Sequence, residues 1–409
     1  MPEVVQIRRR IHSHPELGFE EEQTSKICAE TLQRIGIASK DDVARTGVVG
    51  VLQGGRPDGE PGRTVALRAD MDALPIPEET GLEFASRTPG VMHACGHDGH
   101  VAILLGTAMV LARLRDRLAG NVKFIFQPAE ESLGGAKEMV AAGVLDNPHV
   151  DAIFALHLWP DIALGHVGVH GGPAMAALDK LSITFKGRGG HVATPHKSAD
   201  AIVAASLLVL ALQTVVSRES DPVEPVVLSI GDFRAGRAYN AIADRAELHG
   251  TVRTLDAGLR RSMPDLIERK VRGIAETTGT AYDFEYGFGY PPVVNHPKMA
   301  EFVVDTCGSA LGRERAGFLQ KPSMVGEDFA YYLEKTPGAV FLLGTGVEDK
   351  DPASAASPCI ESNARCQTVS DPGAMRTYPL HHPRFQFDER ALAVGVRAMV
   401  GLAMRFLAA

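Results

Sequence analysis

The sequence is poor in the features that mark secreted, membrane-inserted and nucleic-acid-binding proteins. Its five cysteines are an odd number spread over 409 residues, which argues against a disulfide framework and favours a reducing compartment. The N-terminus is charged from Glu3 onward, and no apolar run approaches the ~18 residues of a membrane span. The formal net charge is -8, whereas binding to phosphates requires a basic face. These absences predict a cytoplasmic protein with no membrane or nucleic-acid partner.

The composition provides enough apolar material for two domains. Hydrophobic residues make up 45% and charged residues 22%, which is typical of a globular protein. A length of 409 residues exceeds one ordinary core. In the first 160 residues strands alternate with helices, which predicts an α/β fold with a mostly parallel sheet and helices on both faces.

A second unit is predicted to interrupt this sheet. Gly171 to Ala177 is rich in glycine and alanine and has the composition of a linker. The next hundred residues or so are predicted to form β-α-β-β-α-β, the ferredoxin-like order. The predicted domains are therefore 1–176 with 290–409, and an inserted domain at 177–289. Residues 348–379, which include Cys359 and Cys366, are predicted to form a long surface loop.

Chemically reactive side chains are most concentrated at residues 92–100, which contain three histidines, a thiol and a carboxylate. Cys95 and His97 flank Gly96, whose backbone can turn tightly, so both side chains could reach one metal ion. The alternative for this stretch alone is a reduced core cysteine beside polar loop histidines. The apolar segment 101–118 that follows is predicted to be a helix.

Further metal-type ligands follow predicted strands. Asp70 and Asp72 follow a strand at 64–69, and an adjacent pair of glutamates follows a strand at 121–127. His157 ends the predicted strand 151–157. Sites in open parallel sheets form beyond the carboxyl ends of the strands, so we expect these side chains to lie close together.

The complete set of candidate ligands is larger than one structural zinc ion requires. It suits two divalent ions, which together activate water for hydrolysis. The adjacent glutamates fit such a site because one can bind metal while the other, Glu130, acts as the general base. A solvated acidic turn is the alternative for that pair. The candidate ligands are Cys95, His97, Glu130 or Glu131, His157, and one of His381 and His382.

The motifs that carry this chemistry resemble those of a known family. They are Met92-His93-Ala94-Cys95-Gly96-His97-Asp98, Gln127-Pro128-Ala129-Glu130-Glu131, Leu156-His157, Gly187 to His191 and Glu327-Asp328-Phe329. Their combination and order resemble the M20 metallopeptidase family, in the branch that contains hippurate hydrolases and auxin-conjugate amidohydrolases. The resemblance extends from Ile11 to Pro383, almost the whole chain.

The resemblance implies a role for each matching residue. It implies five metal ligands, with Cys95 bridging two ions, and Glu130 as the base. It implies that Asp72 orients a ligand histidine and that His191, in a lid domain that dimerises, supports the oxyanion. Asn240 and Arg253 would bind the substrate carboxylate. The implied ligands are Cys95, His97, Glu131, His157 and His381, with His382 as the alternative to His381.

The function implied is hydrolysis of the amide bond of an N-acyl amino acid, for which an aromatic acyl group is one option. The implied cofactors are two divalent ions, zinc or manganese, and the implied assembly is a homodimer through the lid. A dipeptidase or carboxypeptidase with the same metals is the alternative enzyme. A metal-holding or amino-acid-binding protein without catalysis is a third hypothesis, and a thiol-based redox role for Cys95 is a fourth. The two enzyme hypotheses differ in their substrates, whereas the third and fourth hypotheses predict a different behaviour of Glu130 or Cys95.

Overall fold

A computed structural model describes residues 1–55, 62–131, 134–346 and 378–408. The surface loop predicted at 348–379, with Cys359 and Cys366, lies outside the described residues except at its end. The α-helices are α1 (Pro2–His12), α2 (Glu22–Arg34), α3 (His97–Arg113), α4 (Gly135–Ala141), α5 (Ala201–Thr214), α6 (Ala257–Thr278), α7 (Pro297–Leu311), α8 (Ala330–Leu333) and α9 (Arg390–Ala408). The β-strands are β1 (Ala38–Val43), β2 (Gly47–Gln53), β3 (Thr64–Asp70), β4 (Asn121–Gln127), β5 (Ala152–Ala163), β6 (Val167–Val169), β7 (Gly172–Met175), β8 (Leu178–Lys186), β9 (Gly190–His191), β10 (Val226–Ala235), β11 (Ala241–Ile242), β12 (Arg245–Thr254), β13 (Ala281–Tyr290), β14 (Val293–Asn295), β15 (Ala316–Phe318) and β16 (Gly338–Gly346).

The chain forms two compact units. The first comprises Met1–Gly172, Val294–Pro322 and Asp328–Ala409, and the second comprises Pro173–Val293 with Ser323–Glu327. The second unit is thus wider than the predicted 177–289 and includes a short segment from much later in the chain. The predicted linker at 171–177 contains strand β7 and is not an irregular connection.

The first unit is built on an eight-stranded sheet of order β1-β2-β4-β3-β5-β16-β6-β15. Its central strands β4, β3, β5 and β16 are parallel, whereas β1, β2 and β6 add antiparallel pairs. Every residue of β3 and β16 is buried, as expected for parallel strands covered on both faces. Helices α1, α3, α7 and α9 pack against one another and contribute to the core of this unit. The predicted α/β class is confirmed.

Two elements near the site differ from the sequence predictions. Helix α3 begins at His97 and not at residue 101, because Gly96 adopts a left-handed conformation with φ 88° that ends the preceding turn. Strand β5 continues past His157 to Ala163, since residues 157–159 remain paired with β16. The prediction that His157 ends a strand is therefore wrong. The parallel pairing holds His157 in the interior of the sheet.

The second unit has a four-stranded antiparallel sheet of order β10-β12-β8-β13. Along the chain this is the predicted β-α-β-β-α-β order, with α5 and α6 sharing a core with the sheet. The side chains of Asp200 and Asp256 accept backbone N–H groups at the starts of these helices, which is the usual role of aspartate at an N-cap.

Two helical segments are long and apolar enough to cross a membrane when judged by length and composition alone. They are Ala201–Glu219 and Arg390–Ala408, so the sequence-based statement that no such stretch exists is wrong. Both segments contribute buried residues to the cores described above, and core helices of water-soluble proteins satisfy the same criterion. Length and composition therefore do not assign them to a membrane.

Candidate metal centre

The start of α3 fixes the orientation of His97. Its Nδ1 lies 2.9 Å from the backbone oxygen of Asp72, which can only accept, so Nδ1 donates. When this imidazole is neutral, as it is when it binds a metal ion, its lone pair is on Nε2, which is buried without a hydrogen-bond partner among the described residues. A carboxylate oxygen of Asp72 also lies 3.3 Å from Nδ1. Asp72 thus orients a candidate ligand histidine, the arrangement usual beside metal ions.

His157 is oriented in the same way. Its Nδ1 donates to the backbone oxygen of Leu158 at 2.8 Å, so Nε2 carries the lone pair. That Nε2 lies 3.5 Å from Cys95 Sγ. The pair is buried, and both donor atoms lie within 4.8 Å of a ligand-type atom of His97.

Glu131 and His381 provide the other side of the candidate centre. Glu131 Oε1 lies 3.3 Å from His381 Nε2 and 3.8 Å from His97 Nε2. The backbone N–H of Glu131 donates to Asp72 Oδ2 at 2.9 Å, so Asp72 positions both a histidine and a glutamate. The backbone N–H of His381 donates to Ala94 at 2.8 Å and brings its ring next to the cysteine turn.

Of the two C-terminal histidines, His381 is the one that lies beside Glu131. The His382 ring stacks on Tyr378, with ring centroids 4.6 Å apart, and its Nδ1 accepts the backbone N–H of Arg384. His382 therefore stabilises its own turn. The sequence alone could not show which of the two adjacent histidines has this role and which is the candidate ligand.

Two groups of donor atoms share the sulfur of Cys95. In each, the ligand-type atoms lie within 4.8 Å of one another; the groups are Cys95, His97 and His157, and Cys95, Glu131 and His381. A shared thiolate with imidazole and carboxylate partners is a donor set that fits two divalent transition-metal ions. Among the described residues, Oε1 of Glu131 and Nε2 of His97 are buried without a hydrogen-bond partner, which is typical of atoms that bind metal.

The electrostatics of the centre favour a cation. Burial and the negative charges of Glu131, Glu130 and Asp70 raise the pKa of the Cys95 thiol well above its usual value. Burial lowers the pKa of His97, but Asp70 and neighbouring carboxylates outweigh it and raise that pKa to about 10. Negative charge is thus concentrated around the donor atoms.

Glu130 lies next to these groups. One carboxylate oxygen of Glu130 forms a cluster within 4.8 Å with ligand-type atoms of His97 and Glu131. The side chain is 6% exposed, and the backbone N–H of Asp328 donates to its Oε1 at 3.3 Å. A buried carboxylate at the edge of a metal-type cluster can exchange a proton with a water bound there.

Two further polar residues of 92–100, Asp98 and His100, hold the segments around the centre in place. His100 Nδ1 donates to Asp70 at 2.5 Å, and its Nε2 accepts the backbone N–H of Leu158 at 2.9 Å. Asp98 accepts from Arg8 at 2.8 Å and from His12 at 2.9 Å, which ties α1 to the start of α3. Sequence reasoning missed the partners of Asp98 because they come from α1, some 90 residues earlier.

The three other predicted site residues lie in the second unit. His191 is exposed on β9, which pairs with β11, and the N–H of Val192 lies 3.5 Å from the backbone oxygen of Asn240. His191 and Asn240 are therefore neighbours. Arg253 is half-buried on β12 and donates to the backbone oxygen of Met324 at 3.3 Å. Their roles toward a substrate remain predictions.

The family follows from comparison with known proteins. Residues 66–365 match the model of peptidase family M20/M25/M40. The chain belongs to this family. The resemblance inferred from the motifs is confirmed, and the chain is an M20 hydrolase.

Relatives and solved structures match most or all of the chain. N-acyl-L-amino acid amidohydrolase of Geobacillus stearothermophilus is 50% identical over 295 residues, which are 72% of this chain and 78% of that protein. Thermostable carboxypeptidase 1 of Saccharolobus solfataricus is 39% identical over 407 residues, 98% of this chain and 95% of that protein. The crystal structure of Bacillus subtilis YXEP protein, a dinuclear metal binding peptidase from the M20 family, aligns with a TM-score of 0.79 at 36% identity and covers 100% of this chain and 98% of that chain. The M20 hydrolase thus has the fold of a dinuclear metal peptidase.

Glu21 is a buried carboxylate that sequence reasoning missed. It binds the residue that precedes Glu130 and Glu131 in this M20 hydrolase. Glu21 Oε1 accepts the backbone N–H of Ala129 at 2.8 Å, and Glu21 Oε2 accepts the hydroxyl of Thr46. Ala129 has a left-handed φ of 53°, which is rare for alanine and directly precedes Glu130. Burial, together with the negative charge of Asp72, raises the pKa of Glu21 to about 7.

This pKa predicts a pH dependence of stability that Glu21→Gln removes. Because the pKa is higher in the folded state than in the unfolded chain, Glu21 contributes stability below pH ~4.5 that is lost as the pH rises through ~7. Between pH 5 and pH 8, the free energy of unfolding of the unsubstituted protein should fall by roughly 2 kcal/mol relative to Glu21→Gln. Urea denaturation of chelator-treated proteins at both pH values measures the difference.

Glu138→Gln is the matched control, since Glu138 is a partly exposed glutamate of the same unit. The free energy of unfolding of Glu138→Gln should differ from that of the unsubstituted protein by the same amount at pH 5 and at pH 8. Denaturation curves that shift in parallel with pH for Glu21→Gln and the unsubstituted protein would contradict the role of Glu21.

Proposed function

We propose that this M20 hydrolase cleaves the amide bond of N-acyl amino acids to release a carboxylate and a free amino acid. The observation that carries the proposal is the position of Glu130, a buried carboxylate within 4.8 Å of a ligand-type cluster on the same loop as Glu131. The relative from Geobacillus stearothermophilus, at 50% identity, is named for this reaction. A protein that only stores metal has no need of a carboxylate in that position.

Five side chains would hold two ions. Cys95 would be shared, with His97 and His157 on one side and Glu131 and His381 on the other. Such ions, when bound, would polarise a substrate carbonyl and lower the pKa of a bound water. Thiolate and imidazole donors favour zinc, and the carboxylate also admits manganese.

Glu130 would move the proton. It accepts a proton from the attacking water, whose oxygen forms the new bond to the carbonyl carbon, and gives that proton to the leaving nitrogen as the C–N bond breaks. Both products then leave without a net change in the protein. The Asp328 N–H that binds Glu130 Oε1 keeps the carboxylate at the edge of the cluster during this transfer.

The second unit would bind the rest of the substrate. Arg253 and Asn240 would hold the carboxylate that every N-acyl amino acid carries, and His191 would support the oxyanion. His191 is exposed, so its imidazole is accessible to a substrate. We also propose that this unit forms a homodimer.

A carboxypeptidase is the second candidate, because the relative from Saccharolobus solfataricus carries that name at 39% identity. Its substrates also present an amide next to a carboxylate, so one site could process either class.

A substrate panel separates the two candidates. Metal-loaded protein is assayed with hippurate and N-acetyl amino acids, with N-blocked dipeptides, and with free dipeptides. We expect kcat/KM for the best N-acyl amino acid to exceed that for any peptide by roughly 100-fold or more, because a site shaped for a small acyl group excludes a peptide chain. Glu130→Ala run in parallel corrects for contaminating hydrolases. Peptides that are cleaved faster than every N-acyl amino acid would favour the carboxypeptidase.

A further inference from the structure

The loop between β4 and α4 carries both Glu130 and Glu131, and its two ends meet. The N–H of Gly135 donates to the oxygen of Ala129 at 3.1 Å. Any side chain at position 135 would clash, since its Cβ would lie 1.8 Å from the backbone oxygen of Pro128. The two ends of the loop therefore lie in contact, and one group beside them can bind to both.

Asp328 is that group. Its carboxylate accepts the side-chain amide of Gln127, at 2.8 and 2.9 Å, at the end of β4. It also accepts the backbone N–H of Ala136, at 2.9 Å, at the start of α4. Asp328 and Gln127 are completely buried, so water does not compete for these bonds. One carboxylate thus joins the two ends of the catalytic loop.

Arg68 compensates the charge of this carboxylate in its buried site. It donates to Asp328 at 3.0 Å and to the side-chain oxygen of Gln127 at 2.8 Å. Burying a carboxylate costs free energy unless a cation and hydrogen-bond donors compensate it. Arg68 supplies that cation from β3. By donating to both side chains, it also holds Asp328 and Gln127 next to each other.

The backbone of the same residue reaches the catalytic carboxylate. The N–H of Asp328 donates to Glu130 Oε1 at 3.3 Å. We propose that Asp328 is the positioning residue of Glu130: its side chain fixes the loop ends and its backbone fixes the direction of the carboxylate. The inference rests on the proposed function, in which Glu130 transfers the proton. It also gives a role to the Glu327-Asp328-Phe329 motif, for which the sequence suggested none.

Asp328→Asn tests the proposal with little change of shape. The carboxylate is surrounded by donors from Arg68, Gln127 and Ala136, so an amide NH2 must face at least one of them. In metal-saturated protein we expect kcat on the best N-acyl amino acid to fall by roughly 10- to 100-fold. KM and the number of bound ions should stay the same, because the backbone N–H of Glu131 is held separately by Asp72.

A second background separates positioning from general damage. In Glu130→Ala, the additional change Asp328→Asn should lower the residual kcat by less than about 2-fold, since the group it positions is gone. Asp179→Asn is the matched control: Asp179 is equally buried and accepts from Arg260 at 2.7 Å and Tyr286 at 2.9 Å, but it lies in the second unit. The Asp179→Asn protein should have a lower free energy of unfolding and an unchanged kcat.

The outcomes are distinct. An unchanged kcat in Asp328→Asn, or an equal loss in the unsubstituted and the Glu130→Ala backgrounds, overturns the role of Asp328 alone. Near-normal turnover of Glu130→Ala overturns the base assignment of the proposed function, and the role of Asp328 falls with it. If Asp328→Asn does not fold, Gln127→Met removes the link to β4 and is judged by the same two criteria, a loss of kcat with Glu130 present and none without it.

Discussion

Replacing Glu130 by alanine is expected to lower kcat by roughly 10²- to 10⁴-fold, the range typical of a lost general acid–base group. The two donor groups that share Cys95 do not include Glu130, so both ions should remain bound. The two measurements are kcat on the best N-acyl amino acid and the metal content of the purified protein. A loss of turnover at constant metal content separates proton transfer from ligation.

The control for this change is Glu138→Ala, because Glu138 lies on α4 and pairs with Arg45 at the surface. It should keep both turnover and metal. Near-normal turnover of Glu130→Ala would refute the assignment of the base. Loss of metal together with turnover would instead show that Glu130 is a ligand.

Cys95→Ala is expected to lose both ions at once. Its sulfur belongs to both donor groups, so its removal leaves each ion with only two of the described ligand side chains. Residues that merely orient ligands are worth about 10- to 100-fold in metal affinity, and a shared ligand should therefore cost at least roughly 100-fold. Elemental analysis after gel filtration, with activity measured at limiting metal, tests this expectation.

Cys307→Ala is a close control. Cys307 is a fully buried cysteine of the same unit, on α7, so its removal also leaves a small cavity in a core. It should cost stability and keep metal. Cys95→Ala protein that retains two ions would remove the thiolate from the centre, and reversible oxidation of Cys95 with metal retained would support the redox hypothesis.

The parts of the site that could be predicted are those with a local signal. One glycine separates Cys95 from His97, and an apolar strand directly precedes Glu130 and Glu131. In both places the metal-type side chains lie within a few residues of the sequence pattern that predicts their position. The β-α-β-β-α-β order of elements along the second unit was also predictable, because each helix and strand has its own hydrophobic period.

The parts that could not be predicted depend on residues far apart in the chain. Glu21 and Asp328 hold the same loop from 108 and 192 residues away, and neither stands in a pattern that reveals its partner. The choice of His381 over His382 depends on a stacking contact with Tyr378. His157 was placed at a strand end because its sequence neighbours do not show that β16 continues to pair with it.

The position of β16 has a consequence for synthesis of the protein. This strand lies between β5 and β6, yet it is encoded after the whole contiguous part of the second unit. At ribosomal rates of about 5–20 residues per second, roughly ten to forty seconds separate the emergence of β5 from that of β16. During that interval the second unit can fold, while β5 and β6 of the first unit still have no strand between them. The first unit therefore begins to emerge before the second unit but completes its sheet after it.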